Sequence, residues 1–298
     1  MARSQTIPGV RYLNAGFPAL QIETFTLGAL ARRISPAHLL YPRRPEFHHL
    51  ILCTAGEGAH YVDFERYDCR AGTVLHARPG QVLQFAIGRG LDAQLVLFTP
   101  TFLLPNRIRA EQSAGMVEPV PPAVKLDVRA EDQLGVRRGF EAIVTEYRAT
   151  DGAALSAQIL QHLLHALLLR LARASNRATP QVISEATDRI YRRFLAQLER
   201  RFAQTRRVED YARDTGCSAK TLGRACIAAC GKPPKELIDS RVSLEAKRLL
   251  AHTRLPVGVI AVETGFSEVT NFVKFFRRCE GVLPSRFREK YPGLAETN

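Results

Sequence analysis

Two seven-residue stretches decide how this chain is read: Ala212-Arg-Asp-Thr-Gly-Cys-Ser218 and, 49 residues on, Ala261-Val-Glu-Thr-Gly-Phe-Ser267. Ala, Thr, Gly and Ser coincide, and Asp214 matches Glu263 in charge. An apolar helix start precedes each copy, with Val208 and Tyr211 in one and Val257 and Ile260 in the other. An amphipathic stretch follows each, holding Leu222, Ala225 and Cys226, then Phe272, Phe275 and Phe276. The small Ala lets a second helix cross closely. Gly216 and Gly265 supply the left-handed C-cap position that turns the chain sharply, and Ser218 and Ser267 can N-cap the next helix. Helix, tight glycine turn, capped helix is the helix-turn-helix plan, whose second helix enters the DNA major groove. One such match is weak, because many αα-hairpins look similar. Two in register are strong. Between them, Glu236 to Leu250 reads as one amphipathic helix through Leu237, Ile238, Val242, Ala246, Leu249 and Leu250. Such a helix can hold two reading helices about 34 Å apart, one turn of B-DNA.

Charge supports that reading. The 298 residues carry a net charge of +13, with 42 Lys+Arg against 29 Asp+Glu. Of these, 22 basic and 14 acidic residues fall in 181–298, so the final third is the more basic. A polyanionic partner follows, with nucleic acid ahead of a membrane surface. No apolar run approaches the length of a membrane span: Leu163 to Leu169 contains His165 and stops at Arg170. Met1 to Leu20 lacks the apolar region of a signal peptide and reads as a solvated arm. Six cysteines are too few for a disulfide scaffold, so a reducing cytoplasm is expected.

The front of the chain has a different texture. From Ile22 to about Phe98, short apolar runs such as His49–Cys53, Ala59–Val62, Thr73–Leu75, Val82–Phe85 and Leu95–Phe98 alternate with Gly and Pro turns. That pattern predicts an antiparallel sandwich or barrel. After Pro121-Pro122 the period becomes helical. Leu134, Phe140, Ile143, Val144 and Tyr147 suit one helix, and the leucine-dense run Leu155 to Leu171 suits a second. The second stripe, with Leu160, Leu163, Leu164, Leu167 and Leu168, can serve as a dimer seam or pack back on its own barrel. Ala174 to Pro180 reads as a linker. The organisation expected is α+β: a sensor barrel over 1–120, a helical dimerisation segment over 121–180, and a DNA-binding domain over 181–298.

The segment from about Thr205 to Tyr291 resembles the DNA-binding domain of the AraC/XylS family of bacterial transcription regulators. The resemblance rests on Ala212…Gly216-x-Ser218-x-x-x-Leu222-x-Arg224, Gly231-x-x-Pro234, and Arg241 to Leu250. It continues through Ile260-Ala261-x-x-x-Gly265-Phe266-Ser267, Phe272…Phe275-Phe276-Arg277-Arg278, Gly281-x-x-Pro284-Ser285 and Phe287-Arg288. Copy one departs from the pattern at Gly223 and Cys226. Helical position and the resemblance together assign Lys220, Thr221 and Arg224 to the groove face of the first reading helix. In the second they assign Val269, Thr270 and Lys274 to base-facing positions, with Asn271, Arg277 and Arg278 as phosphate contacts.

The front segment is similar to the cupin-like sensor domain of that family, through Glu46-Phe-His-His49, Gly56-x-Gly58-x-His60, Arg70-Ala-Gly72 and Arg78-Pro-Gly80. The resemblance implies a pocket for a small effector, for which Tyr12, His48, His60, His76, Arg78 and Gln84 are the candidate lining. Alternation along a strand puts His48 and His49 on opposite faces, so at most one points inward. The metal motif of cupins needs a His-x-His pair with a following Glu, whereas His48 and His49 are adjacent; no metal and no cofactor are expected. Cys226 and Cys230 read as core, and no nucleophile triad or phosphate-binding glycine loop is present.

The function implied is promoter recognition by a homodimer on double-stranded DNA half-sites, modulated by a small effector, with RNA polymerase as a further partner and no membrane. Two rivals stand beside it: a constitutive DNA-binding protein whose barrel is only a dimerisation scaffold, and a cupin metalloenzyme tethered to DNA.

Overall fold

The computed structural model describes residues 7, 9–34, 40–86, 89–103, 124–126, 128–176 and 184–291. The chain forms two compact units, divided at 180/181. The expected boundary at 120/121 lies outside the described residues, as does the linker beyond Asn176.

The front unit runs through β1 (Gly9–Val10), β2 (Ile22–Thr26), α1 (Leu27–Arg33), β3 (Arg44–Pro45), β4 (His48–Ala55), β5 (Glu57–Val62) and β6 (Glu65–Arg70). It continues with β7 (Val74–Ala77), β8 (Leu83–Ala86), β9 (Asp92–Phe98), β10 (Lys125–Leu126), α2 (Ala130–Ala149) and α3 (Ala154–Asn176). Two antiparallel sheets, ordered β10-β7-β4-β9-β2 and β6-β5-β8, form the body. They make a two-sheet sandwich in the jelly-roll manner. Strand β6, Glu65-Arg-Tyr-Asp-Cys-Arg70, carries too many charges to show as an apolar run, and pairing with β5 overrides that composition.

Side-chain alternation divides the larger sheet between two cores. Ile51, Cys53, Leu75, Leu95 and Leu97 face Val62, Cys69, Leu83 and Phe85 of the smaller sheet. Leu50, Leu52, Val74, Val96 and Phe98 face α2 and α3 instead, meeting Val136, Phe140 and Ile143. The helical segment therefore belongs to the front unit and closes the outer face of its sheet.

This placement corrects the seam expected from α3. Leu160, Leu164, Leu167 and Leu168 are fully buried inside their own chain, and Leu163 is partly buried against the same core. Each buried leucine stabilises by roughly 1.5–3 kcal/mol, so a dimer that uncovered them would lose more than it gained. By length and composition Ala154–Ala174 also passes as a membrane span, but its buried leucines are part of the front unit's core.

The second unit contains α4 (Glu185–Arg201), α5 (Val208–Thr215), α6 (Ala219–Cys230), α7 (Pro234–His252), α8 (Val257–Glu263), α9 (Val269–Glu280) and α10 (Pro284–Glu289). Helix α4 is one the sequence reading passed over, because arginines dominate it; Phe194 and Leu198 form its buried stripe. The Phe194 ring meets Tyr211 edge-on at 5.6 Å, seating α4 against the first repeat. Phe266, Phe272, Phe276 and Phe287 form the corresponding core of the second.

The two repeats fold as expected at their turns. Gly216 stands at φ 74° and Gly265 at φ 83°. Cys217 N–H donates to the Ala212 carbonyl at 2.9 Å, and Phe266 N–H to that of Ala261 at 2.8 Å. The repeated threonine has its own task. Thr215 Oγ1 donates to the carbonyls of Tyr211 and Ala212, and Thr264 Oγ1 to those of Ile260 and Ala261. Each hydroxyl is a further donor to carbonyls at the helix end, where those of Ala212, Ile260 and Ala261 already accept a backbone N–H.

The serines diverge. Ser218 caps α6 by accepting the Thr221 N–H at 3.1 Å, whereas α9 begins one residue later, after Glu268, with no side-chain cap. Ser267 is not a cap, which corrects the expectation of symmetry. Ser218→Ala is accordingly expected to cost about 1 kcal/mol and Ser267→Ala almost nothing, as read from amide hydrogen exchange in α6 and α9.

Candidate nucleic-acid interface and sensor domain

The buried face of α6 is Leu222, Ala225 and Cys226. The opposite face presents Lys220 and Arg224, exposed and one turn apart, followed by Ile227 and Ala228. Thr221 is half-buried, and its hydroxyl lies 2.9 Å from Ser218 Oγ, so it serves the cap first. Ile227 is 56% exposed on the line of Lys220 and Arg224. Sequence reasoning missed it, since an isoleucine in a helix reads as core. An apolar side chain there suits a thymine methyl, as arginine suits guanine.

On α9 the buried face is Phe272, Phe275 and Phe276. Val269, Thr270, Asn271, Lys274, Arg277 and Arg278 are all exposed. Arg278 is not a free cation: its guanidinium pairs with Asp239 of α7 at 3.0 Å and lies over the Phe275 ring. Asn271 Nδ2 donates to Glu268 at 3.5 Å. Lys274 and Arg277 are exposed cations on the same helix.

Helix α7 holds the two readers. Its 19 residues span about 28 Å at the α-helical rise. Ser243 Oγ donates to Glu280 Oε1 of α9 at 2.6 Å, and Lys247 pairs with Glu280 Oε2 at 3.3 Å. On the other side Arg241 pairs with Glu199 of α4 at 2.8 Å and lies 4.0 Å above the Phe202 ring. Arg241 also reaches Glu245 at 3.1 Å, and Arg248 reaches the same carboxylate at 3.3 Å. All three charges are at least nine-tenths buried. A rigid, cross-tied α7 fixes the relative placement of the two reading helices.

In the front unit the six candidate lining residues are not gathered at one place. His48 and His76 lie on the helix-facing side of the larger sheet, with His48 Nδ1 3.0 Å from His76 Nε2 and the His48 ring stacked on Phe98. Burial pushes the His48 imidazole down to about 3. Gln84 pairs across from Tyr61, on the outer side of the smaller sheet. Arg78 follows β7 and is half-buried, its N–H held by Gln81. Only Tyr12 and His60 face the space between the sheets. Tyr12 donates to the Leu20 carbonyl and meets Phe47 edge-on; His60 meets Phe85 edge-on at 5.0 Å.

His49, rather than His48, is the inward member of the adjacent pair. It stacks on Phe47 at 4.8 Å with its Nδ1 unpartnered, and burial pushes it down to about 4. Glu23 is a second inward polar group that sequence reasoning missed. It is buried and paired with Arg33 at 2.7 Å. Alternation along β2 and β4 limits the choice of face, and only the packing of the second sheet settles it. A solvent-open cavity of about 680 Å³ lies at one end of the sandwich, lined by Arg66, Arg70, Arg89 and Lys125 with Glu57 and Asp68 among them.

Two family models match the chain: a helix-turn-helix domain over residues 211–290 and an AraC-like ligand binding domain over residues 29–181. The transcriptional activator RhaS of Escherichia fergusonii is 24% identical over 276 residues, covering 92% of this chain and 94% of its own. The transcriptional regulator ExsA of Pseudomonas aeruginosa is 28% identical over 108 residues, covering 36% and 39%. Among solved structures, fatty-acid-bound ToxT of Vibrio cholerae covers 93% of this chain and 95% of its own at 13% identity and a TM-score of 0.40. With a ligand-binding sandwich in front and a paired helix-turn-helix behind it, the chain belongs to the AraC family of transcription regulators.

Proposed function

We propose that this regulator reads two successive major-groove segments, with Lys220, Arg224 and Ile227 from α6 and Val269, Thr270 and Lys274 from α9. Arg277 and Asn271 contact phosphate. Arg278, already paired with Asp239, contributes mainly by orienting α9. The observation that carries this reading is the matched pair of Thr-Gly turns, each leaving one helix face charged and exposed, fastened to a single connecting helix. Effector occupancy of the front unit shifts the population of DNA-competent arrangements.

A homodimer would form through the outer face of α3. Leu155, Ile159 and Leu169 are exposed there, and with His162 and Ala166 they follow the 4-3-4-3 spacing of a coiled-coil seam. The name of RhaS as a transcriptional activator supports contact with RNA polymerase, and regulators of this kind work in the cytoplasm.

Binding of the full chain to a selected operator, measured across salt concentrations, tests the DNA reading. Arg224→Ala is expected to cost about 1–3 kcal/mol on the operator and far less on random DNA. A loss of equal size on both would make Arg224 a phosphate contact and remove it from base recognition.

A further inference from the structure

Between the two sheets of the front unit, three metal-ligating side chains converge. Cys53 lies near the end of β4, where the register to β9 shifts. His60 lies on β5. Cys69 lies on β6, cross-strand from Gly58, which places it diagonally beside His60 on the same inward face. One donor atom from each lies within 4.8 Å of the other two. The ligands therefore come from both sheets, and all three residues are buried.

His60 is the decisive member. It is wholly buried, yet neither ring nitrogen has a hydrogen-bond partner. Leaving a buried polar group unsatisfied is destabilising, and native interiors rarely carry one without a reason. An uncharged imidazole in this position offers a lone pair to a cation. The backbone around Cys53 is fixed by two hydrogen bonds of 2.9 Å, from its own N–H to the Thr73 carbonyl and from Gly72 N–H to its carbonyl.

We propose that Cys53, His60 and Cys69 form a binding site for a thiophilic d10 cation of the zinc class. Two sulfurs on a tetrahedral zinc stand about 3.8 Å apart, given Zn–S bonds near 2.3 Å, so the cluster needs to contract by an ångström or less. Two thiolates, one neutral imidazole and a divalent ion sum to zero charge, which suits an apolar surrounding where an uncompensated ion would be costly. Binding releases the two thiol protons to solvent, and a fourth position is left for a further donor. Cys69 also borders the solvent-open cavity, which gives the ion an entry path. The search for a cupin-type His-x-His motif overlooks this site because its cysteines lie 16 residues apart in the chain and meet only across the sandwich.

The test is metal uptake by the full chain, reduced and stripped with chelator, using Zn2+ alone and then Co2+ alone as a spectroscopic probe. One ion per chain is expected, with the near-ultraviolet band of a thiolate bound to Co2+. The band should disappear in Cys69→Ser and in His60→Gln, and persist in a chain with Cys217, Cys226, Cys230 and Cys279 all changed to Ser. Thermal melting with and without Zn2+ separates lost binding from lost folding, because a folded variant without the site melts at one temperature in both conditions. Absence of the band in the folded, reduced wild-type chain overturns the proposal. So does persistence of the band in folded Cys69→Ser. A Cys53–Cys69 disulfide in unreduced protein, with no uptake after reduction, would reassign the pair as a thiol switch.

Discussion

Glu245→Ala is expected to loosen the DNA-binding unit more than any substitution on its reading surface. The Glu245 carboxylate lies between the guanidinium groups of Arg241 and Arg248, at 3.1 and 3.3 Å, and all three are buried on α7. Removing the anion takes a carboxylate from two buried cations, of which Arg241 keeps Glu199. Breaking a buried ion group from one side typically costs about 3–5 kcal/mol, although replacing the whole group with apolar residues is often neutral. Glu245→Ala should therefore strip hydrogen-exchange protection from α7, and the triple change Arg241→Met, Glu245→Leu, Arg248→Met should restore much of it. If the triple variant is as labile as Glu245→Ala, the loss comes from packing and the electrostatic account fails. The consequence for function is geometric, because α7 carries both readers. A loosened α7 should weaken operator binding while leaving the weaker random-sequence affinity largely intact.

That network also shows what composition can and cannot reveal. The amphipathic reading of Glu236 to Leu250 locates α7 to within two residues at either end, because its leucines repeat at helical spacing. Nothing in the sequence says that Arg241, Glu245 and Arg248 lie inward, since i, i+4 and i+3 charges more often decorate solvated faces. Local chemistry was legible where it was local: the Thr-Gly turns, their left-handed glycines, and the Ser218 cap. It failed at Ser267, where the helix starts one residue late, and at Leu160 to Leu168, where a count of leucines cannot tell a sheet from a partner subunit. The sensor residues were least legible. His48 against His49 is a choice between two sheet faces, decided by residues far away in the chain. Arg33, a basic residue of the front unit, serves Glu23 inside that unit.

The two repeat glycines should respond unequally to the same substitution. Both occupy the left-handed region, at φ 74° and 83°, where an L side chain costs roughly 1–2 kcal/mol. At Gly216 an added Cβ meets nothing within 4 Å, so the backbone term is the whole cost. At Gly265 the same Cβ overlaps the backbone carbonyl of Ala203, in the segment that joins α4 to α5. No side-chain rotation relieves contact with a carbonyl, and the chain must shift, adding about 1–3 kcal/mol as overpacking does elsewhere. Gly265→Ala is thus expected to destabilise its unit by about 1–3 kcal/mol more than Gly216→Ala, in segment-resolved hydrogen exchange or urea unfolding. Gly265 is then required by how closely the second turn approaches the chain ahead of the first repeat, while Gly216 answers only to its own backbone. Equal costs at the two sites would mean that Ala203 yields freely, and that the tight approach contributes nothing to holding the repeats together.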